Sequence, residues 1–506
     1  MKLSITRIVA SALAFLLVAP SPDLFAQKKQ TKRKAPARRA PAPPQPDIAT
    51  GGSLEERLRS LLNGRVASNS EASIQIAEVE SGRVVAERNP HMAVTPASNM
   101  KLFTTGAALD LLEADFQVTT TVYARGAVDA SGMLTGDVRI VGRGDPSIGG
   151  RFHDGNATAV IEQWATDLKR SGIKTVSGDL VLEYGYFDTE YVHPTWPEDQ
   201  LINWYEAPIS SFSLQEGCVQ IRVLPGRAGQ PCVVQLQPST AYVTVENTCV
   251  TGRGLPFITR RVGSNTIIVR GGVPARSGAT EVFISVENPV HYFAAVTNEV
   301  FARNGLRING RIVMTPRDAR QDWRPISQHS TPMNVLVYVV NKKSQNHYAE
   351  QVAKILAAER TGNGSWAAAA DVIGDWLTTK VGVPAGEFRF ADGSGMSRDN
   401  RASANSFIQT LLYMWKTPWR QDFVSSMPYT GDPDSKFGNR LDKPPYARQV
   451  YAKTGYISGV VGLSGYVHAQ SGKVYAFSFL FNRYRVGVYD VYRLQDELLK
   501  EIVTRG

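Results

Sequence analysis

The chain has 506 residues, 56 Lys and Arg against 46 Asp and Glu, a formal net charge of +10, and three cysteines. The basic surplus is local: residues 1–46 hold nine Lys or Arg and one Asp, which leaves the rest of the chain at only +2. A nucleic-acid-binding body would need a basic face that this balance does not supply. No C-x-x-C, H-E-x-x-H or comparable ligand spacing occurs, so neither a metal nor another cofactor is implied.

In chain order, Lys2 and Arg7 precede an apolar run from Ile8 to about Pro20. That run is shorter than the roughly 18 apolar residues of a membrane span. Residues 1–26 read as a secretory signal peptide cleaved after Ala26, which predicts a periplasmic or otherwise extracytoplasmic location with no membrane span. Residues 27–52, rich in Lys, Arg, Pro and Ala, lack the apolar side chains that offset ordering entropy and read as a disordered basic linker. SLEERLRSLLNG (53–64) has apolar residues at 54, 58, 61 and 62 and predicts an amphipathic helix stopped by Asn63-Gly64. EASIQIAEVESGRVVAERNP alternates about Ser81-Gly82, a hairpin signal. TPASNMKLFTTGAALDLL predicts a buried helix over 98–112. From about Phe116 to Thr315 short alternating segments such as GDVRIVG, GDLVLEYGYF and EVFISVEN predominate, with helices expected at 157–171 and 290–305. Within this region Cys218, Cys232 and Cys249 suggest one disulfide and one leftover thiol, with the pairing open. Helical texture returns in PMNVLVYVVNKKSQNHYAEQVAKILAAE, at 365–381 and at 403–416; a second hairpin covers 463–482 and a last amphipathic helix about 490–503. The expected architecture is an α/β (α+β) domain built from 53–115 and 317–506, its sheet taking strands from both parts, interrupted by a β-rich insertion over 116–316.

Three short signals carry the chemistry. Ser98 and Lys101 form S-x-x-K at a helix start, Ser344 and Asn346 form S-x-N after an apolar run, and Lys453-Thr454-Gly455 opens a strand. Alone, Ser98 reads as a helix cap beside a solvated Lys101, Ser344 and Asn346 as a turn, and Lys453 as a strand-edge charge. In this order and setting they match the S-x-x-K, S-D-N and K-T-G set of penicillin-binding proteins and class A β-lactamases.

The longer segments PASNMKLFTTGAAL, GDLVLEYGYF, NKKSQNHYAEQV, DGSGMSRDN and AKTGYISGVVGLSGYV resemble the D-alanyl-D-alanine carboxypeptidase/endopeptidase family, the class C low-molecular-mass penicillin-binding proteins. The likeness runs from about Ser53 to the C-terminus. It implies a penicillin-recognising, transpeptidase-like and β-lactamase-like domain with two nested domains inserted after the S-x-x-K helix. It also implies peptidoglycan stem peptides as substrates and β-lactams as covalent inhibitors.

Acyl-transfer chemistry then assigns the roles. Ser98 is the nucleophile and Lys101 its base, suited to the task if burial and a second cation, Lys453, lower its pKa. Ser344 relays a proton toward the leaving amine, and Asn346 holds Lys101 and the substrate amide. Lys453 and Thr454 receive a terminal carboxylate, while the N–H groups of Ser98 and Tyr456, the residue after Gly455, form the oxyanion hole. Two positions depart from the family: Gln345 stands where Asp is common, its side chain expected to point away from the serine, and Tyr456 where Thr or Ser is usual.

TWPEDQLINWYEAP (195–208) resembles the stretch from which relatives reach into the cleft, and Asp199 matches the acidic residue that contacts the substrate's side-chain amine. Its alternative is a solvated loop acid. Glu198 is the candidate for a β-lactamase-type deacylating base, although Ile202-Asn203 breaks that spacing by one residue. His347 is expected on a helix surface, Ser394 in a loop that shapes the domain, and VGRGDPSIGG as a glycine-rich turn without a nucleotide-site setting. The sequence thus points to a serine D-Ala-D-Ala carboxypeptidase or DD-endopeptidase. The alternatives are a β-lactamase of the same fold, or a weakly catalytic wall-binding or β-lactam-sensing protein.

Overall fold

The computed structural model describes residues 52–506. The expected signal peptide, and the linker apart from Gly52, lie outside the described residues. A five-stranded antiparallel sheet runs in the order Val450–Ile457, Val460–His468, Val474–Asn482, Glu71–Glu78, Val84–Arg88. Glu71 to Glu78 pair with Asn482 to Tyr475, so strands from the two ends of the described chain are neighbours. The Val460–His468 and Val474–Asn482 strands are buried along nearly their whole length, because helices cover both faces.

On one face lie the Leu54–Leu62 and Val488–Arg505 helices. They pack Leu54, Leu58, Leu62, Leu498 and Ile502 against Ile74, Ile76 and Phe477. Each such side chain contributes about 1.5–3 kcal/mol on full burial. The opposite face carries the Lys101–Leu112, Met333–Lys342, Asn346–Thr361 and Ala404–Lys416 helices. The first is buried on every side from Lys101 to Leu109, polar residues included, which is the pattern of a central helix rather than a surface one.

Between these parts the chain forms a mixed seven-stranded sheet that includes the long Gln117–Val128/Met133–Val141 hairpin and the returning Arg324–Pro332 strand. A three-stranded and a four-stranded sheet occupy 218–285. Trp164 of the Ala159–Arg170 helix and Phe293 of the Pro289–Arg303 helix meet in the core of this region.

Three expectations need correction in detail. The 98–112 helix opens with a 3-10 turn, Ala97–Met100, before its α-helical part. The 365–381 helix is α-helical over Trp366–Asp375 and widens into a π turn over Trp376–Val381, ended by Gly382 in the left-handed region (φ 84°). The disulfide is not formed. All three cysteines are buried free thiols, with the Cys232 and Cys249 sulfurs 3.1 Å apart, well beyond a bond of ~2.05 Å, and Cys218 on a separate strand.

Candidate active site

Three backbone segments converge on Ser98. The strand carrying Lys453, Thr454 and Gly455 passes so close to the Ala97–Met100 turn that a Cβ at Gly455 would lie 2.6 Å from the Asn99 amide and 3.2 Å from the Ser98 nitrogen. At Gly462, on the next strand, the distance to Asn99 would be 2.1 Å. Glycine is required at both positions for close approach. From the other side comes the 391–400 loop, where a Cβ at Gly395 (φ 85°) would overlap the Ala97 carbonyl at 2.0 Å. Ala97 itself has φ 49°, a left-handed conformation costly for a non-glycine residue and held here by packing from both sides.

Lys101 is fully buried one helical turn after Ser98. Its Nζ donates to Ser98 Oγ at 3.1 Å, to Asn346 Oδ1 at 2.7 Å and to the Ser394 carbonyl at 2.7 Å. Burial lowers its pKa to about 7, against the opposing pull of the Glu350 and Asp392 carboxylates. Lys453 is also fully buried, donating to Ser344 Oγ at 2.8 Å and to the Thr454 carbonyl at 2.7 Å. Burial, reinforced by the nearby Lys101, holds its pKa well below the usual lysine value. Ser344 adopts φ 54°, and Asn346 is fixed by donating its Nδ2 to the Tyr205 carbonyl at 2.9 Å. The hydroxyl residues Ser98, Ser344 and Thr454 are half-buried, with the two amines behind them fully enclosed. A serine hydroxyl bonded to an amine that is substantially neutral near pH 7 is set up for proton removal and attack on a carbonyl.

The structure therefore brings Ser98, Lys101, Ser344, Asn346 and Lys453 together, with Thr454 and Gly455 on the adjoining strand and Tyr456, 53% exposed, at its open end. Asp199 and Glu198 do not join this network; both are exposed on the short Glu198–Gln200 turn. That turn follows Trp196, whose indole donates to Asp392 at 2.8 Å, and precedes Tyr205, whose carbonyl receives Asn346.

Several supporting groups escaped the sequence reading. Glu350, fully buried on the Asn346–Thr361 helix, accepts the N–H groups of Gly393 (2.9 Å) and Ser394 (2.7 Å), and so aims the Ser394 carbonyl at Lys101. Burial, with Asp392 alongside, raises its pKa to about 7. Asp392 organises the same loop by accepting from Gly395 N and Ser397 N at 2.7 and 2.6 Å. The available signal was the i, i+4 spacing of Asn346 and Glu350 on one helix face.

His347 is not a surface residue. It is buried, with Nε2 2.8 Å from Ser213 Oγ, and burial pushes its pKa down to about 3, so it stays neutral. The Asp145 turn in VGRGDPSIGG is a structural knot: its carboxylate accepts from Ser147 N and Thr331 Oγ1 at 2.9 and 2.8 Å.

A serine and a buried lysine at a helix start, faced by S-x-N and by K-T-G on the edge of an antiparallel sheet, define the penicillin-recognising fold class. The chain belongs to the D-Ala-D-Ala carboxypeptidase 3 (S13) family, which it matches over residues 54–497. It is 31% identical over 447 residues to a D-alanyl-D-alanine carboxypeptidase of Actinomadura sp. strain R39, covering 85% of this chain and 81% of that protein. To the D-alanyl-D-alanine carboxypeptidase DacB of Haemophilus influenzae it is 23% identical over 438 residues, 84% of this chain and 88% of that one. The crystal structure of penicillin-binding protein 4 from Haemophilus influenzae superposes with a TM-score of 0.73 at 21% identity, covering 87% of this chain and 97% of that one.

Proposed function

We propose that this D-Ala-D-Ala carboxypeptidase family member is a serine peptidase that works outside the cytoplasm on peptidoglycan stem peptides through a Ser98 acyl-enzyme. The observation that carries the reading is the bond from fully buried Lys101 to Ser98. Neutral Lys101 takes the Ser98 proton as Oγ attacks the carbonyl of the penultimate D-alanine. Ser98 and Tyr456 N–H groups receive the oxyanion. As the C–N bond breaks, the leaving amine gains a proton through Ser344, which Lys453 holds at 2.8 Å. Half-buried Thr454 receives the terminal carboxylate, with Lys453 enclosed behind it, and water then releases the acyl group to regenerate Ser98. When the leaving amine is that of a neighbouring peptide's diamino acid, the same steps cleave a crosslink.

β-Lactams would acylate Ser98 by the same attack, consistent with the Haemophilus influenzae protein having been crystallised with a β-lactam. Glu198, exposed and outside the network, gives the β-lactamase alternative no support. We also propose residues 116–316 as an insertion of two nested domains, and the leader as an export signal. After penicillin treatment, mass spectrometry of peptide digests should place the adduct on Ser98, and purified protein should shorten or unlink muropeptides. An adduct on Ser344 or Ser394 overturns the assignment.

Asp199 is assigned to the amine of the diamino-acid side chain. A cation there gains from a facing carboxylate, modestly if exposed and more once substrate excludes water. Asp199→Ala should lower kcat/KM for peptides carrying the free amine ~10-fold, about 1.4 kcal/mol, and leave penicillin acylation unchanged because penicillin has no such amine. Equal loss in both reactions, or none, returns Asp199 to a loop residue.

A further inference from the structure

The middle residue of the S-x-N motif, Gln345, points away from Ser98, and what it points at is a carboxylate. Gln345 is buried, and its Nε2 donates to Glu216 Oε2. Its Oε1 accepts the His347 N–H at 3.4 Å, capping the Asn346–Thr361 helix. One amide therefore serves two neighbours: its carbonyl end closes the helix and its NH2 end holds the carboxylate. Glu216 is held from behind by Arg151, whose Nε and Nη2 lie 2.6 and 2.5 Å from Oε1. The backbone around Glu216 is bent to deliver that side chain, with φ of 51°, 58° and 69° at Gln215, Glu216 and Gly217.

Other bonds fasten the same stretch to the same helix. Tyr205 O receives Asn346 at 2.9 Å, Ser210 O receives Gln351 at 3.1 Å, and Ser213 meets His347 at 2.8 Å. Of the two residues flanking Gln345, Ser344 sits at a left-handed φ and receives Lys453, and Asn346 receives Lys101. Whatever fixes Gln345 fixes both.

We propose that Glu216, braced by Arg151, is a positioning residue that sets Ser344 and Asn346 through Gln345, and that positions 216 and 345 form a matched carboxylate–amide pair. The pairing gives a physical reason for an amide where relatives favour Asp. A carboxylate at 345 could still cap the helix, but it would face the Glu216 carboxylate in a partly buried site, where like charges repel strongly. The proposal rests on the acyl-enzyme reading, because it concerns the geometry of that chemistry.

The test is a two-position swap followed by penicillin acylation kinetics, with the adduct mapped on the wild type first. Gln345→Glu keeps the length of the side chain and replaces its donor with charge; it should slow acylation by up to ~100-fold, the scale of a misplaced catalytic group. Adding Glu216→Gln restores one amide facing one carboxylate and should recover most of the rate. In the single variant the acid limb of the pH–rate profile should move to lower pH, because a displaced Asn346 no longer accepts from the Lys101 ammonium; in the double variant it should return. Wild-type rates in Gln345→Glu, or a loss that Glu216→Gln fails to rescue, overturn the clamp. If no adduct forms on Ser98 in the wild type, it is the acyl-enzyme reading that fails instead.

Discussion

Lys101→Arg should be nearly as damaging as Lys101→Ala, each slowing penicillin acylation by ~10²–10⁴, the range contributed by a general base. Arginine keeps the positive charge but cannot lose it at working pH, its pKa lying above ~12. The proposed base has to be a group that can be neutral, and the structure supplies the means: full burial brings Lys101 to about 7 while two carboxylates, Glu350 and Asp392, limit the fall. The sign follows. A base works in its deprotonated form, so the wild-type acylation rate should rise about tenfold per pH unit below the pKa and level off above about 7. The residual rate of the Arg variant should lack that limb. Stopped-flow acylation between pH ~5 and ~9 checks both points. An Arg variant within tenfold of wild type, or a flat wild-type profile, removes Lys101 from the role of base.

The same lysine marks how far the sequence could be read. The convergence of Ser98, Lys101, Ser344, Asn346 and Lys453 was legible because short motifs at helix starts and strand edges report local geometry, and their order along the chain limits how they can meet. The hairpins at Ser81-Gly82 and Ser471-Gly472 and the helices were legible from periodicity, with ends displaced by only a few residues. Glu350 was not, because a glutamate inside NHYAEQV reads as an ordinary exposed helix residue until the 391–400 loop is folded over it. His347 failed for the same reason: its burial comes from Ser213 and the 205–217 stretch, more than 100 residues away in sequence. Gln345 is the clearest case, its amide being interpretable only once Glu216 is seen across from it. Local chemistry was readable; contacts made by segments distant in sequence, the 205–217 stretch and the 391–400 loop, were not.

That dependence on distant partners governs the second large effect, at Lys342, two residues before Ser344. Lys342 and Asp432 form an ion pair at 2.9 Å with side chains only 4% and 2% exposed, and the Met427 carbonyl takes a further bond from Nζ at 2.8 Å. Burial pulls the Lys342 pKa down, and the facing Asp432 carboxylate opposes that pull. The carboxylate also accepts the Asp434 N–H at 3.0 Å, so it orders the loop that packs over the end of the Met333–Lys342 helix. Removing one partner of a buried pair leaves the other charge without compensation, at a cost of ~3–5 kcal/mol. Asp432→Ala should therefore be strongly destabilising in urea unfolding, and it should slow acylation as well, because the loosened helix end carries Ser344. Replacing both charges by apolar groups, Lys342→Met with Asp432→Leu, removes the desolvation cost together with the attraction and should regain most of the lost stability. A loss below ~1 kcal/mol in Asp432→Ala would mean that the pair is solvated in practice, as surface pairs are, and that Ser344 takes its position from Gln345 and Lys453 alone.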